Sequence, residues 1–225
     1  MRQKTAFLVA MLFSVFFIVS CGKDSGPFAD YEDDKMIGTV LEVTKNEDKI
    51  VVDISEWEKR DRKGPNMTDE GYSYTAKITE ETVIKHENGT EASIHDMKNG
   101  QKVLIIPPRG NNFEGYPQEI ILLAMTYKEK YSRFLSHVDG YNIVVMSKKN
   151  EELPQEMQEQ MYQNVMGILK NKEAVAAWIE YDENYAVDYK KELGIEAFPV
   201  ILVFNKEEVV LKHIRLTTYM TSSRI

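Results

Sequence analysis

The chain has 225 residues, 43% of them hydrophobic, which is enough to bury a core and build one or two folded domains rather than a disordered polymer. Its formal net charge of −8 excludes nucleic acid as a partner, because tracking phosphates needs a basic face that this balance does not supply. Cys21 is the one cysteine, which excludes an intramolecular disulfide and any dithiol chemistry.

The amino terminus opens with Arg2 and Lys4, runs through apolar residues from Ala6 to Val19 broken by Ser14, and reaches Ser20 and Cys21. A basic start, an apolar middle and a small residue before the cut are the parts of an export signal. The apolar run is shorter than the roughly 20 residues of a membrane span, and polar residues Gly22 to Asp34 follow at once, so removal is expected rather than retention. Ile18-Val19-Ser20-Cys21 resembles the lipobox of bacterial lipoproteins, with Ile where Leu is commoner. That resemblance implies a diacylglyceryl group on the Cys21 thiol, cleavage before Cys21, and a chain held at the extracytoplasmic face of the cell membrane. Two acyl chains anchor stably where one is marginal. An ordinary secretory peptide and a signal anchor are the alternatives. Residues 1–20 are read as signal peptide and 21–35 as a lipidated tether, solvated by Glu32-Asp33-Asp34. Without Arg2 and Lys4 the mature chain has 26 basic and 36 acidic residues, a net −10.

Residues 36–126 carry strand signals. Ile37 to Val43, the polar turn Asn46-Glu47-Asp48 and Ile50 to Ile54 predict an antiparallel hairpin in which Ile50, Val52 and Ile54 share a face. Further strands are expected at Tyr72 to Ile78, Thr82 to His86 closed by Asn88-Gly89, Gln101 to Ile106 and Gln118 to Ala124. Ser93 to Gly100 reads as one helical turn with a capping serine and a terminating glycine. Short strands at this spacing suggest a small antiparallel barrel. The opening Ile37-Gly38-Thr39-Val40, the strand Thr82-Val83-Ile84, the block from Ser93 to Val103 and Glu114-Gly115-Tyr116-Pro117 resemble the OB-like domain of YobA-like lipoproteins. That resemblance implies an OB-like β-barrel and an envelope address, with no activity to carry over.

Two long loops interrupt these strands, Ser55 to Gly71 and Pro107 to Pro117, and long loops in compact domains are where binding concentrates. Trp57, Arg60, Arg62, Arg109 and Tyr116 are the candidate ligand-binding residues, since aromatic rings beside guanidinium groups can stack and hydrogen-bond a ligand. A solvated hairpin tip is the alternative.

Residues 137–225 change period, reading strand Tyr141 to Met146, helix to Lys170, strand Ala174 to Tyr181, helix Asn184 to Leu193, strand Val200 to Phe204 and strand Glu208 to His213. Met157, Met161, Val165 and Ile168 or Leu169 fall at helical spacing and predict a buried stripe; Gly194 supplies a left-handed stop. The stretch Leu193 to Phe204 resembles the thioredoxin fold, in which a helix ends and a cis-proline opens the next strand. By that resemblance Pro199 is the cis-proline, and Phe198 with Pro199 edges a groove for an extended peptide. The family's CxxC position reads Ser147-Lys148-Lys149-Asn150, which has no thiol, and Leu216 to Ile225 leave little room for the family's last helix.

Other chemistry is sparse. His86, His95, His137 and His213 lack paired ligand spacing, so no metal and no cofactor are expected. The fold class expected is mixed, an OB-like antiparallel β-barrel followed by an α/β thioredoxin-like domain. The expected role is a membrane-anchored binding or interaction module, with an envelope protein, peptide or glycan as ligand. An envelope enzyme using His95, Asp96 and the Tyr116 loop, or a purely structural envelope protein, are the rival readings.

Overall fold

A computed structural model describes residues 31–60, 70–151 and 173–215, together with the helical positions Gln155, Gln158, Glu159, Gln163 and Gly167. Cys21, Arg62 and the predicted methionine stripe of the long helix lie outside the described residues.

The strands are β1 (Met36–Thr44), β2 (Lys49–Asp53), β3 (Ser73–Lys77), β4 (Val83–His86), β5 (Lys102–Ile106), β6 (Glu114–Gly115) and β7 (Glu119–Leu122) in the first sheet. Its order is β4-β7-β5-β1-β2-β3-β6. The predicted hairpin is present: β1 and β2 pair antiparallel, and the 3₁₀ turn Lys45–Glu47 between them ends on Asp48 in the left-handed region. Alternation does what period two dictates, burying every second residue along β2, β3, β5 and β7 while the others face outward. Ile50, Val52, Ile54, Tyr74, Val103, Ile105 and Ile120 thereby converge on one core.

The expected closed barrel is corrected to an open seven-stranded mixed sheet. Two parallel pairings, β3 with β6 and β4 with β7, account for the difference. Residues Tyr116 to Gln118 separate β6, which lies on β3, from β7, which lies on β5, so covalent chain rather than a ladder spans the gap.

The second sheet contains β8 (Tyr141–Lys148), β9 (Ala174–Tyr181), β10 (Val200–Phe204) and β11 (Val209–Arg215) in the order β11-β10-β8-β9. β8 and β9 are parallel, and β10 is antiparallel to both β8 and β11. Ile143 to Met146 and all of β10 are buried, the unbroken apolar reading of strands covered on both faces. One face packs on an aromatic cluster of Tyr131, Phe134, Tyr189 and Phe204, whose ring centroids lie 4.5 to 6.1 Å apart.

The helix Tyr127–Tyr131 stands between the sheets. Thr126 and Glu129 cap it reciprocally, Thr126 N donating to Glu129 Oε2 at 2.8 Å and Glu129 N to Thr126 Oγ1 at 3.3 Å. Lys102 of β5 donates to the other oxygen of Glu129 at 2.5 Å, and Lys130 pairs with Glu192 at 2.7 Å, so this helix is tied to both sheets.

The tether reading needs revision at its end. Glu32 O accepts Trp57 Nε1 at 2.9 Å and Asp33 pairs with Arg60 at 2.6 Å, so part of the acidic run is fastened to the first sheet while its carboxylates stay exposed.

Candidate functional site

Of the described loop residues singled out from the sequence, Trp57, Arg60 and Arg109 are tied to neighbouring loop residues. Ser55–Glu58 forms a helical turn, and Trp57 is 4% exposed within the first core. This corrects the expectation of an exposed stacking ring. A loop rich in Lys and Arg reads as solvated, yet the indole N–H found an internal acceptor in Glu32, which is what lets a tryptophan be buried. Arg60 lies over the Trp57 ring at 3.9 Å with its charge taken by Asp33. Arg109 grips Glu58 through both Nε (3.0 Å) and a terminal nitrogen (2.7 Å) and lies 3.9 Å over Phe113. Phe113 in turn stacks on Tyr72. These loops clamp each other. Tyr116 alone of the described group stands out to solvent, 67% exposed, with Lys77 near its ring.

A different site forms where the sheets meet. Parallel β8 and β9 end at the same edge, and in open sheets the carboxyl ends of parallel strands are where ligands settle. Beyond β8 come Lys149 and Asn150; beyond β9 comes Asp182. Val200 pairs with Met146, which puts the Phe198-Pro199 peptide at this same edge. That bond is cis, as expected for Pro199, and Phe198 stacks on Tyr181 with centroids 5.0 Å apart.

The first sheet supplies the opposite wall. Ala186 N donates to Asn99 O at 2.7 Å, and Asn99 bridges to Tyr185, docking the loop after β9 on the segment before β5. Gly100 makes that approach close: a Cβ there would sit 2.1 Å from Tyr185 Cζ. Leu41 falls at a β-bulge, where the register passes from Val40 opposite Val52 to Glu42 opposite Val51. Leu41, next to buried Val40, lies on the strand's opposite face and is 51% exposed. The resulting cleft holds about 420 Å³ and is lined by Leu41, Arg133, Lys149, Trp178, Tyr181 and Tyr185, among others. Trp178 is 45% exposed on β9, a strand whose one ladder partner among the described residues is β8.

Burial and hydrogen bonding keep the tyrosines behind the cleft protonated. Burial pushes the Tyr189 hydroxyl far above its ordinary value, reinforced by neighbouring Tyr185, so it stays neutral and donates to Lys130 O at 2.8 Å. Burial likewise raises Tyr181, helped by its hydrogen bond to Asp188. Asp188 is lowered, chiefly by the Lys191 N–H that it caps.

None of Trp178, Arg133 and Leu41 was singled out by sequence reading. Arg133 falls in no predicted element, and the bulge at Leu41 depends on pairing. Trp178 left a signal: a large ring after Ala176-Ala177 in a predicted strand. Of the rival catalytic set, Asp96 is engaged in a helix cap. Asp96 accepts from both the backbone and hydroxyl of Ser93 at 2.8 Å, and those bonds hold its carboxyl below the usual range. It is a cap for the turn Ile94–Asp96 and makes no bond to Tyr116. Among the described residues no group of His, Cys, Asp and Glu is arranged to hold a metal, and no helix is long and apolar enough to cross a membrane. No protein-family model matches the chain, and no curated protein matches it.

Proposed function

We propose that the chain is an exported lipoprotein, fixed to the outer face of the cell membrane through Cys21, whose folded part binds an extended peptide in the cleft between its sheets. The observation that carries the binding reading is Trp178, a large ring left exposed on a sparsely paired strand and facing Leu41 across a cleft. Exposed apolar surface gathered in a concave site marks recognition more often than accident. The succession of β8, the helical positions from Gln155 to Gly167, β9, the helix Tyr189–Glu192, β10 and β11 supports a thioredoxin-like second unit. In that family the backbone before the proline pairs with substrate as an added strand, a mode that needs hydrogen-bonding edges and no cysteine. Ser147 to Asn150, standing where that family has its thiols, would then act as a wall of the cleft. Resemblance of residues 18–21 to a lipobox, and of the first unit to YobA-like lipoproteins, supports the envelope address.

Address and binding have separate tests. Metabolic labelling with a tagged palmitate should mark the wild-type chain and leave Cys21→Ser unlabelled; undiminished label in the variant overturns the anchor. For binding, panning the exported chain against displayed extended heptapeptides should enrich binders that Trp178→Ala loses. Failure to enrich any peptide, or enrichment indifferent to Trp178, overturns the cleft.

A further inference from the structure

The described arginine side chains keep different company. Arg60 and Arg109 each hold a carboxylate, at 2.6 and 2.7 Å. Arg133 holds none among the described residues, although the chain carries 36 acidic residues against 28 basic. What fixes Arg133 is aromatic: its guanidinium lies 5.1 Å from the Tyr185 ring centre and 5.4 Å from that of Phe134. Stacking of that kind orients the planar donor fork and leaves its N–H groups for another partner.

Lys149 lines the same cleft and also pairs with no carboxylate among the described residues. The cleft's acids are turned to the backbone instead. Glu180 Oε1 accepts Asn150 N at 3.1 Å, and Asp182 Oδ1 accepts Asn184 N at 2.9 Å. Among the described residues neither cation has a carboxylate partner, while each of these two carboxylates is engaged by a loop N–H, and a ligand carboxylate matches that pair of donors. Trp178 and Leu41 flank them with apolar surface.

We propose that the cleft selects an acidic extended peptide, one carboxylate being received by Arg133 and Lys149 while neighbouring apolar side chains rest on Trp178 and Leu41; this rests on the peptide-cleft reading above. Charged groups placed this way contribute discrimination more than raw affinity. Trp178 also provides the readout, because the other tryptophan, Trp57, is buried in the first core and insensitive to cleft occupancy.

The test uses the full-length chain in detergent with three blocked heptapeptides, alternating Val with Glu, Lys or Ser. The Glu peptide should shift Trp178 emission and bind about tenfold more tightly than the Lys peptide, which corresponds to about 1.4 kcal/mol. Salt near 1 M should shrink the preference. Arg133→Gln with Lys149→Gln should abolish it, and Arg133→Lys should retain part of it. Circular dichroism of each variant checks that the fold persists. Equal affinity for the Glu and Lys peptides overturns the selection and leaves the peptide cleft standing. No emission shift with any peptide overturns both. Binding of an acidic oligosaccharide such as hexagalacturonate in place of the peptides assigns the cations to a glycan and overturns the proposal.

Discussion

The two sheets bury their residues by different rules, and the two tryptophans show the consequence. In the first sheet one face is covered and the other solvated, so alternate residues go inward and Trp57 joins the core from a loop. In the second, β8 and β10 are covered on both faces, and apolar surface that does not fit between layers is left at the edge strand β9, where Trp178 and Val175 are exposed. A sheet with one solvated face can satisfy its apolar residues by alternation. A sheet sandwiched on both faces exports the surplus to an edge, where it becomes available for recognition.

Substituting the tryptophans separately is the largest test of that contrast. Trp57→Ala removes a fully packed ring and should cost about 3–5 kcal/mol, with a melting transition lowered accordingly. Trp178→Ala should change stability by no more than about 0.5 kcal/mol, as exposed substitutions do. Equal losses in the two variants would place both rings in cores and remove the case for a cleft.

Much of this contrast was legible in the sequence. Alternation in Ile50-Val51-Val52 and the apolar runs at Ile143 to Met146 and Val200 to Phe204 placed the strands, because each pattern is local, and the runs differ from the alternation as strands of a second kind do. Closure of the first sheet was not legible, since whether β6 and β7 continue one another depends on pairings to β3 and β5 from distant segments. The cleft escaped for the same reason: Leu41, Asn99, Arg133, Trp178 and Tyr185 meet through tertiary structure, with no motif to announce them. Trp57 was misread because its charged neighbours describe the loop's exterior, while the ring's fate was decided by an acceptor some 25 residues earlier, the Glu32 carbonyl.

The junction between the sheets supplies the next test. Gly100 has φ +80 and lies against Tyr185, whereas Gly89 has φ +86 with nothing within 4 Å. Alanine at Gly89 meets only the backbone penalty, about 1 kcal/mol. At Gly100 the same penalty is joined by overpacking, so the loss should reach about 2–4 kcal/mol. If the sheets are thermodynamically coupled through this contact, Gly100→Ala should also split one calorimetric transition into two. A loss no larger than that of Gly89→Ala would show that Tyr185 yields freely and that the docking is loose.

A smaller effect, but one with a signature in pH, is expected from the helix that ties the sheets together. Glu129 is partly buried, which alone would raise its pKa, yet the hydrogen bonds from Lys102 and from the Thr126 backbone and hydroxyl outweigh burial and hold it below the ordinary carboxylate value. A carboxyl whose folded value is depressed stabilises the fold above its unfolded value, near about 4.3, and loses that contribution as pH falls through the folded value. Glu129→Gln keeps the shape while removing the charge, so at neutral pH it should cost about 1 kcal/mol, the scale of a helix cap joined to a partly exposed ion pair. Melting temperatures of the two proteins should then converge as pH is lowered below the carboxylate range, because the wild-type group becomes protonated and resembles the amide. A gap that stays constant from neutral to acid pH would mean that Glu129 acts through shape alone. In that case the charged tie between Lys102 of the first sheet and the helix docked on the second contributes nothing to holding the cleft's two walls together.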